Sequence, residues 1–239
     1  MASPIKDFAR RVRRMGRALV GKDLWLTPEV RVDHVRLGSE YGGWWVVPSL
    51  IRPESVVYSF GVGDDISWDL AMVQRFGVCV HAFDPTPRCL EWIRGQQLPD
   101  RLRFHPLGLA DFDGEAQFAM HNPDPLWNAY NLTKGGEDAR GAHEIVRCQV
   151  RTLATIAKDL GHERVDILKM DIEGAEYGAL KDILAGRFRP AQLLIEYHYF
   201  EGARSRVQET ADSIRSLQDA GYRLFARSPV GHEFAFVRV

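Results

Sequence analysis

Apolar residues along this chain recur with two periods. Short β-branched and aromatic runs at about 56–61, 78–84, 101–109, 165–171 and 191–199 read as strands, with helix-patterned segments between or after them. Ile66, Leu70 and Val73 mark one helical face within 66–76, and Leu180, Ile183 and Leu184 mark another. Strands alternating with helices imply a mainly parallel sheet covered on both faces. The last two apolar runs, 222–226 and 233–239, are separated by Arg227-Ser228-Pro229-Val230-Gly231-His232. That gap holds no helix, so the runs read as a hairpin at one sheet edge. The pattern predicts an α/β, Rossmann-like fold: a seven-stranded, mainly parallel sheet with a C-terminal antiparallel hairpin.

The first strand run stops at Phe60-Gly61-Val62-Gly63-Asp64-Asp65, where a helical segment begins. Glycines at such a turn let backbone approach a ligand and adopt conformations denied to other residues. The next strand ends at Asp84, 21 positions after Gly63, a spacing that suits a carboxylate accepting hydrogen bonds from ribose hydroxyls. A dinucleotide fingerprint wants a small residue at Ile66, and Asp64 and Asp65 repel a pyrophosphate. An acidic turn suits S-adenosyl-L-methionine, which carries a sulfonium and an ammonium group. The terminal hairpin points the same way, to the class I methyltransferase architecture. A nicotinamide-dependent oxidoreductase and a non-catalytic S-adenosylmethionine-binding protein are the alternatives; the latter would make Asp171, Glu196 and His198 dispensable.

The fourth strand run ends at Asp171, placed to face the crevice at the carboxyl ends of the strands. For Glu173 and Glu176 the expectation is plainer: first-turn acids complementing a helix dipole. Glu196 and His198 end the fifth run two residues apart, on one face. A polyol hydroxyl is too weak an acid to attack a sulfonium unaided, so it needs a general base or a metal. Asp171, Glu196 and His198 are therefore either ligands of Mg²⁺ or Mn²⁺ or a base with its orienting acids.

Composition narrows the rest. The 239 residues are 45% hydrophobic with a formal net charge of −1, enough for one core and without a polyanion-binding signature, so nucleic acid is not an expected partner. Cys79, Cys89 and Cys148 read as reduced thiols of a cytoplasmic protein, and no apolar run is long enough to span a membrane. Residues 1–30 divide from a catalytic domain at 31–239. Within them Lys6, Arg10, Arg11, Arg13, Arg14, Arg17 and Lys22 flank a stripe of Ile5, Phe8, Val12, Met15 and Leu19. This basic amphipathic helix is expected to pack on protein, on the domain or a second subunit, rather than on lipid. Residues 121–143 form a polar insertion with Trp127, Tyr130 and Lys134, read as either a lid or an excursion.

Four strings carry a resemblance: Ser59-Phe60-Gly61-Val62-Gly63-Asp64-Asp65-Ile66-Ser67, Phe83-Asp84-Pro85-Thr86-Pro87, Leu107-Gly108-Leu109-Ala110-Asp111 and Lys169-Met170-Asp171-Ile172-Glu173-Gly174-Ala175-Glu176. Over roughly residues 37 to 200 the chain resembles FkbM-type methyltransferases. Leu37-Gly38-Ser39-Glu40-Tyr41-Gly42-Gly43-Trp44 is similar to that family's Gly-Gly-aromatic segment, with Tyr41 where many relatives carry an aspartate. The resemblance implies S-adenosylmethionine-dependent O-methylation of a small hydroxylated acceptor, a sugar, glycoside or related metabolite. On this reading Gly61, Gly63, Asp64, Asp84, Thr86, Gly108, Ala110 and Asp111 bind the cofactor, with Gly61 and Gly63 under its methionine part and Asp111 at the adenine amine.

Overall fold

The computed structural model describes residues 15–121, 130–133, 141–199, 204–229 and 231–239. An antiparallel ribbon, β1 (Val35–Leu37) and β2 (Trp44–Val46), precedes the main body. There follow β3 (Val56–Phe60), α1 (Ser67–Phe76), β4 (Cys79–Phe83), α2 (Pro87–Ile93), β5 (Leu102–His105), β6 (Gly108–Leu109), β7 (Gly114–Met120), β8 (Tyr130–Thr133) and β9 (Glu144–Arg151). The chain continues through α3 (Leu153–Asp159), β10 (Ile167–Met170), α4 (Glu176–Ala185), β11 (Gln192–Glu196), α5 (Arg204–Asp219), β12 (Tyr222–Arg227) and β13 (Glu233–Arg238).

The main sheet is mixed and has seven strands in the order β5-β4-β3-β10-β11-β13-β12. Its first five are mutually parallel, while β13 runs antiparallel to both β11 and β12. The direction of winding reverses between β3 and β10, and open α/β sheets bind ligands at such a point. Alternation along each strand feeds two cores. Tyr58, Phe60, Leu168, Met170, Leu193 and Ile195 pack on the side of α4 and α5. Val57, Val80, Ala82, Ile167 and Leu194 pack on the side of α1 and the β1–β2 ribbon.

Local chemistry sets the helix ends. Gly77 takes a left-handed φ of 64° and closes α1 with a bond to Val73. Pro87 opens α2, where its missing N–H costs nothing. The Thr152 hydroxyl caps α3 by accepting from the Thr155 amide.

Three sequence expectations change. The run at 101–109 is two strands, because Pro106 cannot donate to a ladder; β5 stays in the main sheet and β6 leaves it to pair with β9. The run at 191–199 ends as a strand at Glu196, so His198 lies just beyond it. A second sheet, β6-β9-β7-β8, stands beside the carboxyl ends of the main strands, and Tyr130 of the 121–143 insertion opens its edge strand β8. Trp127 and Lys134 lie outside the described residues, as do residues 1–14 of the basic segment. Cys79, Cys89 and Cys148 are free thiols. Among the described residues no helix is long and apolar enough to cross a membrane.

Candidate active site

Gly61 sits where β3 gives way to the turn, with φ at 80° and its amide bonded to the Phe83 carbonyl at 3.0 Å. A Cβ there would lie 1.7 Å from the Asp171 carbonyl oxygen, so two strand ends touch at this point and only glycine fits. Gly63 also has positive φ, 55°, and faces open space. Buried Lys169 of β10 donates to Gly61 O at 2.9 Å and to Phe60 O at 3.4 Å, and packs over the Trp44 ring.

Asp84, only 5% exposed, fastens the turn from the side. Its Oδ2 accepts from the Val62 and Gly63 amides at 3.1 and 3.0 Å, and its Oδ1 from the Thr86 amide and hydroxyl at 2.9 and 2.6 Å. These donors fill the roughly four lone-pair sites of a carboxylate. Asp64 turns outward to Arg88 at 2.9 Å, and Asp65 accepts from the Ser39 hydroxyl and the Ser67 amide. Both acids of the turn are thus engaged within the protein. Through Ser39, Asp65 also ties the glycine segment before β2 to α1, and a Cβ on Gly42 would strike its carboxylate at 2.6 Å.

A cleft of about 390 Å³ opens above this turn, between the two sheets. Gly61, Asp84, Thr86, Asp171 and Glu173 supply its polar edge, and Phe83, Gly108, Leu109, Phe118, Ile172 and Tyr130 its walls. Ala110 is buried behind the wall in the core of the second sheet. Asp111 is exposed and stands against Gly178 of α4, away from the lining.

At the β10 and β11 ends, Asp171, Glu196 and His198 each present an atom within 4.8 Å of the others'. Two further acids join them. Glu176, fully buried, accepts from His198 Nδ1 at 2.7 Å, and Glu173 Oε2 lies 3.2 Å from His198 Nε2. Asp171 Oδ1 is 3.8 Å from the same nitrogen. Burial acts to lower the His198 pKa, yet Glu176, Glu173 and Asp171 outweigh it and hold it well above the usual imidazole value. Burial pushes Glu173 up to about 7, with Asp171 adding to the shift and His198 opposing it. Burial and Asp171 likewise hold Glu196 well above the ordinary carboxylate range.

Glu173 has φ at 52°, the one positive value at a non-glycine among the described residues. Strand β8 secures it: the Leu132 amide donates to its carbonyl and Asn131 Nδ2 to its Oε2 at 3.2 Å. The expectation that Glu173 and Glu176 serve only the helix dipole therefore misses their reach to His198. Lys169 was also missed, although a lone cation inside an apolar strand run is a legible signal.

Residues 55–224 match the family described as the methyltransferase FkbM domain. A Rattus norvegicus protein named "Probable methyltransferase-like protein 24" is 29% identical over 179 residues, 71% of this chain and 42% of that protein. Its Homo sapiens counterpart is 26% identical over 71% of this chain and 41% of its own length. The chain thus spans well under half of either. The 2-O-methyltransferase NoeI of Sinorhizobium fredii (strain NBRC 101917 / NGR234) is 24% identical over 200 residues, 79% of this chain and 80% of that protein. The glycine turn, the Asp84 clasp and the Asp171 strand end all fall within the matched span, and the chain belongs to the FkbM methyltransferase domain family.

Proposed function

We propose that the chain catalyses S-adenosyl-L-methionine-dependent O-methylation of a sugar, glycoside or related small hydroxylated acceptor. The observation that carries this reading is the contact of Gly61 with Asp171 at the point where the sheet's winding reverses, opening on one side to the cleft and on the other to the carboxylate–histidine cluster. O-methylation is in the printed name of the Sinorhizobium relative, and the sugar class follows from the family resemblance. The cleft's aromatic walls, Phe83, Phe118 and Tyr130, suit a nucleoside.

The donor supplies a methyl group on a positively charged sulfur. The acceptor oxygen forms the new C–O bond, the C–S bond breaks with its electron pair left on sulfur, and the hydroxyl proton leaves to the carboxylate cluster. The chain's own contribution is alignment of the reacting groups. Gly61 and Gly108 keep the cofactor side of the cleft free of bulk, Thr86 stands at its edge, and Gly63 gives the adjoining turn its positive φ. Asp84 reaches the ribose if the Thr86 hydroxyl, which rotates freely, yields one of its lone pairs. Asp64, Ala110 and Asp111 shape the surrounding loops. Asp171, Glu196 and His198 face the acceptor side. His198, with both ring nitrogens directed at carboxylates, holds the acids in register there.

The test is methyl transfer from S-adenosylmethionine to a panel of glycosides, read by mass spectrometry. A single added methyl on a hydroxyl is expected, with Asp171→Asn lowering kcat by about 10²–10⁴ while donor-product binding survives. Transfer only to amines or thiols, or undiminished turnover by Asp171→Asn, would overturn the reading.

A further inference from the structure

The cluster at the β10 and β11 ends holds more carboxylate than its own cations balance. Asp171, Glu173, Glu176 and Glu196 surround one imidazole, and Glu233 stands beside Glu196 in the β11–β13 pair. Two of these acids have unused capacity. Among the described residues no hydrogen bond or ion pair engages the half-buried Glu196 carboxylate, although it stands within reach of Asp171 and His198. Glu176 Oε2 is fully buried and also unpartnered. Unpaired buried acids are costly, so each calls for an explanation.

The histidine is oriented in the manner of a metal ligand. Its Nδ1 bonds to Glu176 at 2.7 Å, which directs Nε2 toward Glu173, Asp171 and Glu196. A carboxylate behind a ligating imidazole fixes its tautomer and ring plane in many metal sites. The ligand atoms of Asp171, Glu196 and His198 lie within 4.8 Å of one another, close to the roughly 4.2 Å between two oxygens bound across a Mg²⁺-sized ion, and Glu173 Oε2 stands 3.2 Å from His198 Nε2.

We infer that this cluster binds one divalent cation of the Mg²⁺ or Mn²⁺ class through Asp171, Glu173, Glu196 and His198 Nε2, with Glu176 orienting the histidine from behind. The oxygen-rich donor set excludes a soft-metal preference. Cation binding relieves the repulsion among the acids. The cation also gives an acceptor hydroxyl a place to bind with its acidity raised. That last role rests on the methyl-transfer reading above, whereas the site itself does not.

The test is titration of the full chain with MnCl₂, followed by the electron paramagnetic resonance signal of free Mn²⁺. One ion per chain is expected, displaced by MgCl₂. Glu196→Gln and His198→Gln are each expected to weaken binding ten-fold or more, Glu176→Gln by about 10–100-fold, and the exposed control Glu115→Gln not at all. Circular dichroism and thermal unfolding certify the fold of each variant, and Asp171→Asn replaces any that fails. Absence of Mn²⁺ binding at millimolar concentration, or binding indifferent to Glu196→Gln and His198→Gln, overturns the inference. Intact Mn²⁺ binding with no binding of S-adenosylhomocysteine would instead retain the site and discard the methyl-donor reading.

Discussion

Asp84 carries two duties that the sequence shows as one. Its distance from the glycine turn suggested a ribose acceptor, yet in the fold its carboxylate already receives the Val62, Gly63 and Thr86 amides. The residue that would hold a ligand also builds the turn beneath it. Asp84→Asn places an amide NH₂ against buried N–H donors and leaves at least one of them unpaired. Ligand-free stability is therefore expected to fall by about 1–3 kcal/mol, along with affinity for S-adenosylhomocysteine. Asp64→Asn, which disturbs only an exposed pair with Arg88, is expected to change stability by less than about 1 kcal/mol. Urea unfolding without ligand checks both, and an Asp84→Asn variant as stable as wild type would show that the clasp contributes little.

At the scale of elements, the strands and their ends were the most legible part of the chain. Gly61 and Asp171 could be read because a strand stop and a turn are local events, written in adjacent residues. The second sheet was harder: β6 is a two-residue strand and β8 has only four residues. Glu176 was not legible, since a first-turn acid looks the same in sequence whether it serves the helix dipole or reaches another element's histidine. The same limit hid a histidine group joining β4, β5 and the end of α3. His81 Nδ1 lies 3.0 Å from His105 Nε2, and His162 packs edge-on against His81. Burial, then the neighbouring His105 and His162, depress His81 to about 4. The folded state therefore favours the neutral ring. The stability this confers is whole above the ordinary value of 6.5 and is lost as pH falls toward 4. Wild type is expected to lose about 1–2 kcal/mol from this source between pH 7 and 5, a loss absent in His81→Phe. Raised acids such as Glu173 pull in the opposite sense over that range, so the difference between the two proteins is the quantity to measure. Parallel stability profiles for both would refute the assignment.

In the whole molecule, two sheets divide the work. The main sheet brings β3, β4 and β10 together so that Gly61, Asp84 and Asp171 meet at one edge. The second sheet supplies the opposite wall through Leu109, Phe118 and Tyr130, and its strand β8 grips Glu173. A ligand in the cleft touches both sheets, so binding is expected to stabilise them together. The central claim, that this cleft receives the methyl donor, is tested most directly by calorimetry of the full chain with S-adenosylhomocysteine and, separately, NAD⁺. The account predicts saturable binding of S-adenosylhomocysteine at one site per chain, weakened ten-fold or more by Gly61→Ala in a folded variant, and no heat with NAD⁺. Saturable binding of NAD⁺ together with no response to S-adenosylhomocysteine would contradict it.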